Sequence, residues 1–337
     1  MKRLKCFLIL GCLLSVVTSG MAADTPASNS TDQPEAKKAA ATNKAAAPAL
    51  PAPTLANVKY GEHERQVLDF WKAESAHPTP LVFFIHGGGW KNGDKNQVEF
   101  LDKYLAAGIS VVSINYRYVP QALAAGVTPP VKAPLHDAAR ALQFVRSRAA
   151  DWNLDPARVG AAGVSAGACS GLWLTFHPDL ADAKSADPVA RESTRLWCAA
   201  VTVPQTSLDP QQMVEWTPNC RYGAHAFGFA GGDKARKLSG FQLFLHNREN
   251  ILPWIAEYSP YALVTADAPP IYMIFWTPPA LGQDEKDATH SANFGVKLQE
   301  KLRSVGVECE VVYPGAPDVK HSQVHDYLIE KLKAPKP

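Results

Sequence analysis

Val159-Gly160-Ala161-Ala162-Gly163-Val164-Ser165-Ala166-Gly167 is the stretch on which the fold turns. Residues 159–164 are apolar or small at every position, as in a strand covered on both faces. A helical pattern follows at once over 166–177, so Ser165 falls on a strand-to-helix turn between two glycines. Such a turn lifts the serine clear of the sheet, because the glycines remove side chains that would clash there. The helix N-terminus behind it offers backbone N–H groups and a positive dipole end, both suited to a developing oxyanion. Gly-x-Ser-x-Gly is short enough to arise by chance, and its weight comes from its surroundings.

Outward from this turn the same alternation recurs. Residues 81–85, 109–115, 196–203, 271–276 and 309–313 are short apolar runs rich in β-branched and aromatic residues. Helical patterns occur at roughly 97–107, 135–150, 291–305 and 323–332, with Phe294, Leu298, Leu302 and Val305 at helical spacing. This alternation predicts one doubly wound α/β domain over 58–337, its mostly parallel sheet covered by helices on both faces. Residues 205–266 break the rhythm: Trp216, Tyr222, Phe227, Phe229, Phe241, Phe244 and Trp254 stand among glycines and prolines. A small cap insertion over one end of the sheet is expected there.

The N-terminal segment has a different character. Lys2, Arg3 and Lys5 precede an apolar run over 6–17, and Gly20-Met21-Ala22 offers small residues for cleavage, so 1–22 reads as a signal peptide. The apolar run falls short of the about 20 residues of a membrane-spanning helix. The expectation is a secreted or periplasmic protein without stable membrane insertion. Residues 23–57 are dominated by Ala, Pro, Thr, Ser and Lys, contain no aromatic, and read as a disordered tether.

With 46% hydrophobic and 20% charged residues, the 337-residue chain has an ordinary globular composition. Its formal charge of +2 becomes −1 without the leader, which leaves no electrostatic footprint for nucleic acid. Of the six cysteines, Cys169, Cys198, Cys220 and Cys309 follow the leader. A Cys198–Cys220 bridge and free buried thiols both fit the spacing. No cluster of His, Cys and carboxylates has metal-ligand spacing, so no metal or other cofactor is expected. Oligomeric state is left open by the sequence.

A second motif, His86-Gly87-Gly88-Gly89-Trp90, follows the apolar run at 81–85. His-Gly-Gly-Gly would arise by chance roughly 0.003 times in a chain of this composition, so its place after a strand is informative. Consecutive glycines let the backbone turn and point N–H groups into a cleft. Gly88 and Gly89, with Ala166 after the serine, are therefore the candidate oxyanion donors. His86, at the end of a buried strand, is read as ordering the loop. Trp90 is the candidate wall of the substrate pocket.

Together His86–Trp90 and Gly163–Gly167 resemble an α/β-hydrolase of the hormone-sensitive-lipase-like esterases. The resemblance includes the feruloyl and acetylxylan esterase-like (BD-FAE-like) branch and the kynurenine formamidases. Asn115-Tyr116-Arg117, Asp137 and the run Asn153-Leu154-Asp155-Pro156-Ala157-Arg158-Val159 are similar to the same group, and the likeness spans about 58 to 333. It implies the α/β-hydrolase fold and esterase-type chemistry. Residue types alone imply an activated serine beside an N–H-lined cleft.

A serine of ordinary pKa needs a base, and the base needs an orienting acid. The fold's order of Ser, acid, His places the acid after the run at 271–276, where Asp284, Glu285 and Asp287 stand. Asp287, just before the next helical pattern, is the expected acid, with Asp284 the alternative. His321, on the loop entering the last helical pattern, is the expected base, and His325 inside that pattern is the alternative. His290, beside the predicted acid, is read as a pocket-lining or capping residue. The reading is a Ser165–His321–Asp287 esterase for short or aromatic acyl esters, including carbohydrate-linked ones. A formamidase-like aryl amidase and a catalytically silent binding protein of the same fold are the alternatives.

Overall fold

Whether a run becomes an edge or a central strand depends on what covers it. In the computed structural model, which describes residues 50–335, eight strands share one sheet. They are β1 (Leu55–Lys59), β2 (Val67–Trp71), β3 (Thr79–Ile85), β4 (Ser110–Ile114), β5 (Leu154–Val164), β6 (Cys198–Thr202), β7 (Ile271–Ile274) and β8 (Cys309–Val312), in spatial order 1-2-4-3-5-6-7-8. Strands β3 to β8 run parallel, whereas β1 and β2 are antiparallel to their neighbours at one edge.

The helices are α1 (Leu101–Ala106), α2 (Val119–Ala124), α3 (Lys132–Ser147), α4 (Ala149–Trp152), α5 (Ala166–Phe176), α6 (Pro210–Trp216), α7 (Gly240–His246), α8 (Leu252–Tyr258), α9 (Asn293–Ser304) and α10 (Val324–Lys333). Alternate residues of β3 enter opposite cores, as pleating requires. Leu81, Phe83 and Ile85 join α3, α5, α9 and the insertion, while Val82 and Phe84 join α1 and α10. Both faces are thus covered, and the doubly wound reading matches the structure.

One expectation changes, and one open alternative is decided. The tether does not reach residue 57: Leu55 opens β1, the Pro51 carbonyl accepts from Trp71 Nε1 at 2.8 Å, and Thr54 Oγ1 accepts from the Lys72 amide. β1 is mostly exposed, so it lacks the hydrophobic pattern that marks a buried strand; backbone pairing with β2 creates it. The leader and residues 23–49 lie outside the described residues. The Cys198–Cys220 bridge is also absent, all four cysteines of the described residues being free. Cys198 packs on the α10 face of the sheet and Cys220 in the core of the opposite face. Burial pushes the Cys198 thiol up to about 12.

The insertion forms a helical cap built on its own aromatics. Phe227 packs on Phe244 at 5.4 Å and on Trp254 at 6.1 Å between ring centroids. These rings are cap core rather than pocket walls. The cap meets the loops that leave the carboxyl ends of β3 and β7, the end of a parallel sheet where sites assemble.

Candidate active site

Ser165 follows β5 with φ 53° and ψ −119°, a left-handed setting rare for a residue with a side chain. Its amide donates to the Thr202 carbonyl at 2.9 Å, and its carbonyl accepts from Cys169 in the first turn of α5. The flanking glycines are required by contact. A Cβ at Gly167 would lie 2.0 Å from the Ile85 carbonyl oxygen, and one at Gly163 would lie 2.7 Å from the same atom. The turn is therefore pressed against the end of β3, and Ser165 sits beside the glycine loop that leaves it.

That loop is fixed from behind. His86 is fully buried, stacks on Tyr116 at 4.3 Å and shares its Nδ1 with the Gly87 carbonyl at 2.8 Å. Tyr116 Oη donates to the His86 carbonyl at 2.9 Å. Burial lowers the His86 pKa to about 4, so the ring is neutral at ordinary pH and orders the loop. Gly88 and Gly89 both have positive φ, 98° and 61°. No hydrogen bond within the described residues uses the amide N–H of Gly88, Gly89 or Ala166. Three donors thus stand unengaged, two on the glycine loop that passes Ser165 and the last at the first turn of α5.

Trp90 does not serve the role expected of it. It is fully buried, and its Nε1 donates to Ser170 Oγ at 2.9 Å, pinning the glycine loop to α5. A tryptophan in this loop has an indole N–H that must find a partner, and the nearest one is inside the protein. Behind it stand Tyr222 and His225 of the cap, with ring centroids about 6 Å from that of Trp90. Burial and the Lys91 ammonium lower the His225 pKa to about 4. The neighbouring Arg117–Asp137 pair is bidentate, with Asp137 buried, and ties the end of β4 to α3.

The imidazole at Ser165 belongs to His290. Ser165 Oγ lies 3.0 Å from His290 Nε2, and His290 Nδ1 lies 2.9 Å from Asp287 Oδ2. Asp287 and His290 are three residues apart on a single turn, closed by the His290 amide donating to the Asp287 carbonyl at 3.1 Å. The cap and the core hold this turn. Gln205 Nε2 donates to the Thr289 carbonyl, and Asn219 bonds both backbone groups of Glu285. The Glu285 carboxylate accepts from Ser291 Oγ at 2.5 Å, and Asn293 Nδ2 donates to the Trp216 carbonyl. Asp284 is exposed on the same loop.

His321 is not brought to Ser165. The connection from β8 to α10 folds back along the strand, and the imidazole is buried on the α10 face of the sheet at 6% exposure. Its Nδ1 meets Glu310 Oε2 at 2.7 Å, its Nε2 meets Glu330 Oε2 at 3.1 Å, and its amide donates to Glu310 Oε1 at 2.8 Å. Both ring nitrogens are engaged by carboxylates that clamp α10 to the edge strand. His325 is likewise remote, its ring 4.5 Å from that of Phe100 under α10. The expected base is therefore corrected by geometry: His290 is the imidazole beside the serine. The signal available in the sequence was the Asp287-x-x-His290 spacing, which on a tight turn sets Nδ1 against the carboxylate.

A family model described as BD-FAE matches residues 68–281, more than half of the chain. The chain belongs to the BD-FAE family. Among its relatives, Gut esterase 1 from Caenorhabditis elegans is 32% identical over 154 residues, which cover 44% of this chain and 27% of the relative. Carboxylesterase NlhH from Mycobacterium tuberculosis is 33% identical over 100 residues, 29% of each protein. The match to this BD-FAE protein thus spans less than a third of the length of these curated relatives. Two solved structures show the same α/β-hydrolase fold. One is an acetyl ester-xyloside bifunctional hydrolase from Caldicellulosiruptor lactoaceticus, with TM-score 0.57 and 22% identity, covering 78% of this chain and 86% of the other. The second, a truncated carbohydrate esterase from gut microbiota, has TM-score 0.61 and 18% identity, covering 83% and 96%.

Proposed function

We propose that this protein is a serine carboxylic-ester hydrolase in which Ser165 is the nucleophile, His290 the base and Asp287 the orienting acid. The observation that carries the reading is the continuous chain from Ser165 Oγ through both His290 nitrogens to Asp287. Ser165 Oγ attacks the ester carbonyl carbon while its proton passes to His290 Nε2. The Nδ1–H donates to Asp287, which fixes the tautomer and stabilises the imidazolium. The oxyanion accepts from the N–H groups of Gly88, Gly89 and Ala166. His290 then returns the proton to the departing alcohol. Water, deprotonated by the same nitrogen, attacks the acyl-serine; as the bond to Ser165 Oγ breaks, His290 returns that proton to Oγ and the carboxylic acid leaves.

Short or aromatic acyl groups on carbohydrate are the substrate class we favour. The family, the two fold neighbours (an acetyl ester-xyloside bifunctional hydrolase and a carbohydrate esterase), and a cap packed on its own aromatics support it. Export to the periplasm or medium is part of the proposal and rests on the sequence of residues 1–22. Protein isolated from its native cells should begin near Ala23 or Asp24, and an intact Met1 on cytosolic material would overturn export. The esterase reading is tested with a serine-reactive organophosphonate. Labelling should map to Ser165, and Ser165→Ala should lose both label and turnover by about 10³-fold or more. Ordinary ester hydrolysis by that variant would refute the reading.

A further inference from the structure

Seven of the eight tryptophans are buried or partly buried, and Trp276 is 61% exposed. It follows Phe275, which is buried, takes a 2.8 Å hydrogen bond from its amide to the Val312 carbonyl, and packs closely over Gly295. Trp276 is therefore an exposed indole on a rigid extension of β7, rather than a ring on a wandering loop. Its centroid lies 6.1 Å from that of His290. Immediately beyond it, a cavity of about 530 Å³ is lined by Thr277, Pro278, Ala280, Glu285, Lys286 and Asp287.

The chemistry of ester cleavage gives this side of the site a meaning. The departing alkoxide must take its proton from the base, so the alcohol half of the ester lies against His290. The glycine loop, with His225 and Lys91 flanking Gly89, borders the oxyanion instead. Trp276 and its cavity thus stand where the alcohol half goes. An exposed apolar ring beside a cavity lined by a hydroxyl, two carboxylates and an ammonium suits a ligand that is apolar on one face and hydroxylated around its rim. A pyranose ring has that character: axial C–H bonds on a face and hydroxyls at the equator. Because the backbone that carries the indole is anchored through Phe275, little backbone ordering is needed on binding.

We propose that Trp276 is the stacking platform for the sugar ring that forms the alcohol half of the substrate class proposed above. The proposal rests on the esterase reading above, with His290 as base. It is tested by measuring kcat and KM of the full chain on a methyl xyloside monoacetate, phenyl acetate and ethyl acetate. Wild type, Trp276→Ala, Trp276→Phe and Ser165→Ala are compared. Trp276→Ala should raise KM for the xyloside acetate about tenfold with a smaller change in kcat, and its effect on ethyl acetate should be at least about fivefold smaller. Trp276→Phe, which keeps a ring face, should recover most of the loss. An equal fall on the xyloside and ethyl esters would overturn the proposal, as would a loss confined to phenyl acetate, or a wild type that cleaves ethyl acetate but not the xyloside acetate. Ser165-dependent cleavage of ethyl acetate reports separately on the esterase reading, so that reading can stand while the platform fails.

Discussion

Replacing His290 and His321 by alanine, one at a time, separates catalysis from architecture. His290→Ala removes the only imidazole within hydrogen-bonding distance of Ser165 Oγ among the described residues, at 3.0 Å. Triad members act as a unit, so kcat on a simple acetate ester should fall by about 10³-fold or more. Stability should change little, since this ring is partly exposed and its partner Asp287 is more than half exposed. His321→Ala should behave in the opposite way. It strips a partner from Glu310, whose side chain is 17% exposed, and from Glu330, which is 45% exposed and keeps Lys320. The half-exposed Glu330 contributes little, so the loss is dominated by one largely buried carboxylate, about 2–3 kcal/mol. For a domain of this size that lowers Tm by roughly 4–10 °C. Activity per folded molecule should stay within about threefold of wild type, measured well below both transitions. A folded His321→Ala protein without turnover, alongside an active His290→Ala protein, would refute the assignment and return the base to the β8–α10 connection.

Two further outcomes follow from the same geometry. Asp287→Asn should cut kcat by about 10²-fold or more while Asp284→Asn stays near wild type, because only Asp287 bonds His290 Nδ1; equal effects in steady-state assays would remove Asp287 from its role. Stability should also depend on acid. His86 and His225 are held at about 4, below their ordinary 6.5, so between those values the unfolded chain binds more protons than the folded one. The contribution of these two rings is thus constant above about pH 6.5 and is lost as pH drops towards 4, where His86 alone accounts for about 3 kcal/mol. Denaturant midpoints measured at pH 7, 5.5 and 4.5 should fall in that order, and a constant midpoint would contradict the buried neutral rings.

The alternation of apolar runs with helical patterns was sufficient for the parallel core of the sheet, because those strands are buried on both faces and carry their signal in every residue. The serine turn and the glycine loop were legible for a related reason: steric exclusion at Gly163 and Gly167 acts through a fixed local sequence. Antiparallel β1 was not legible, since an exposed edge strand is made by its partner's backbone. Asp287 could be placed from chain order, but the base could not. Residue spacing names every histidine near the end of the chain without saying which way its loop folds. That direction was decided by the two carboxylates that draw His321 to the α10 face. It was decided equally by the cap contacts from Gln205 and Asn219 that hold the loop bearing Asp287 and His290. Sequence determined the sheet, the serine turn and the glycine loop because each is a local pattern repeated or enforced by sterics. Which imidazole faces the serine also depends on contacts between segments more than sixty residues apart, such as Ser165 with His290 and Gln205 with Thr289, and only the tertiary structure holds those.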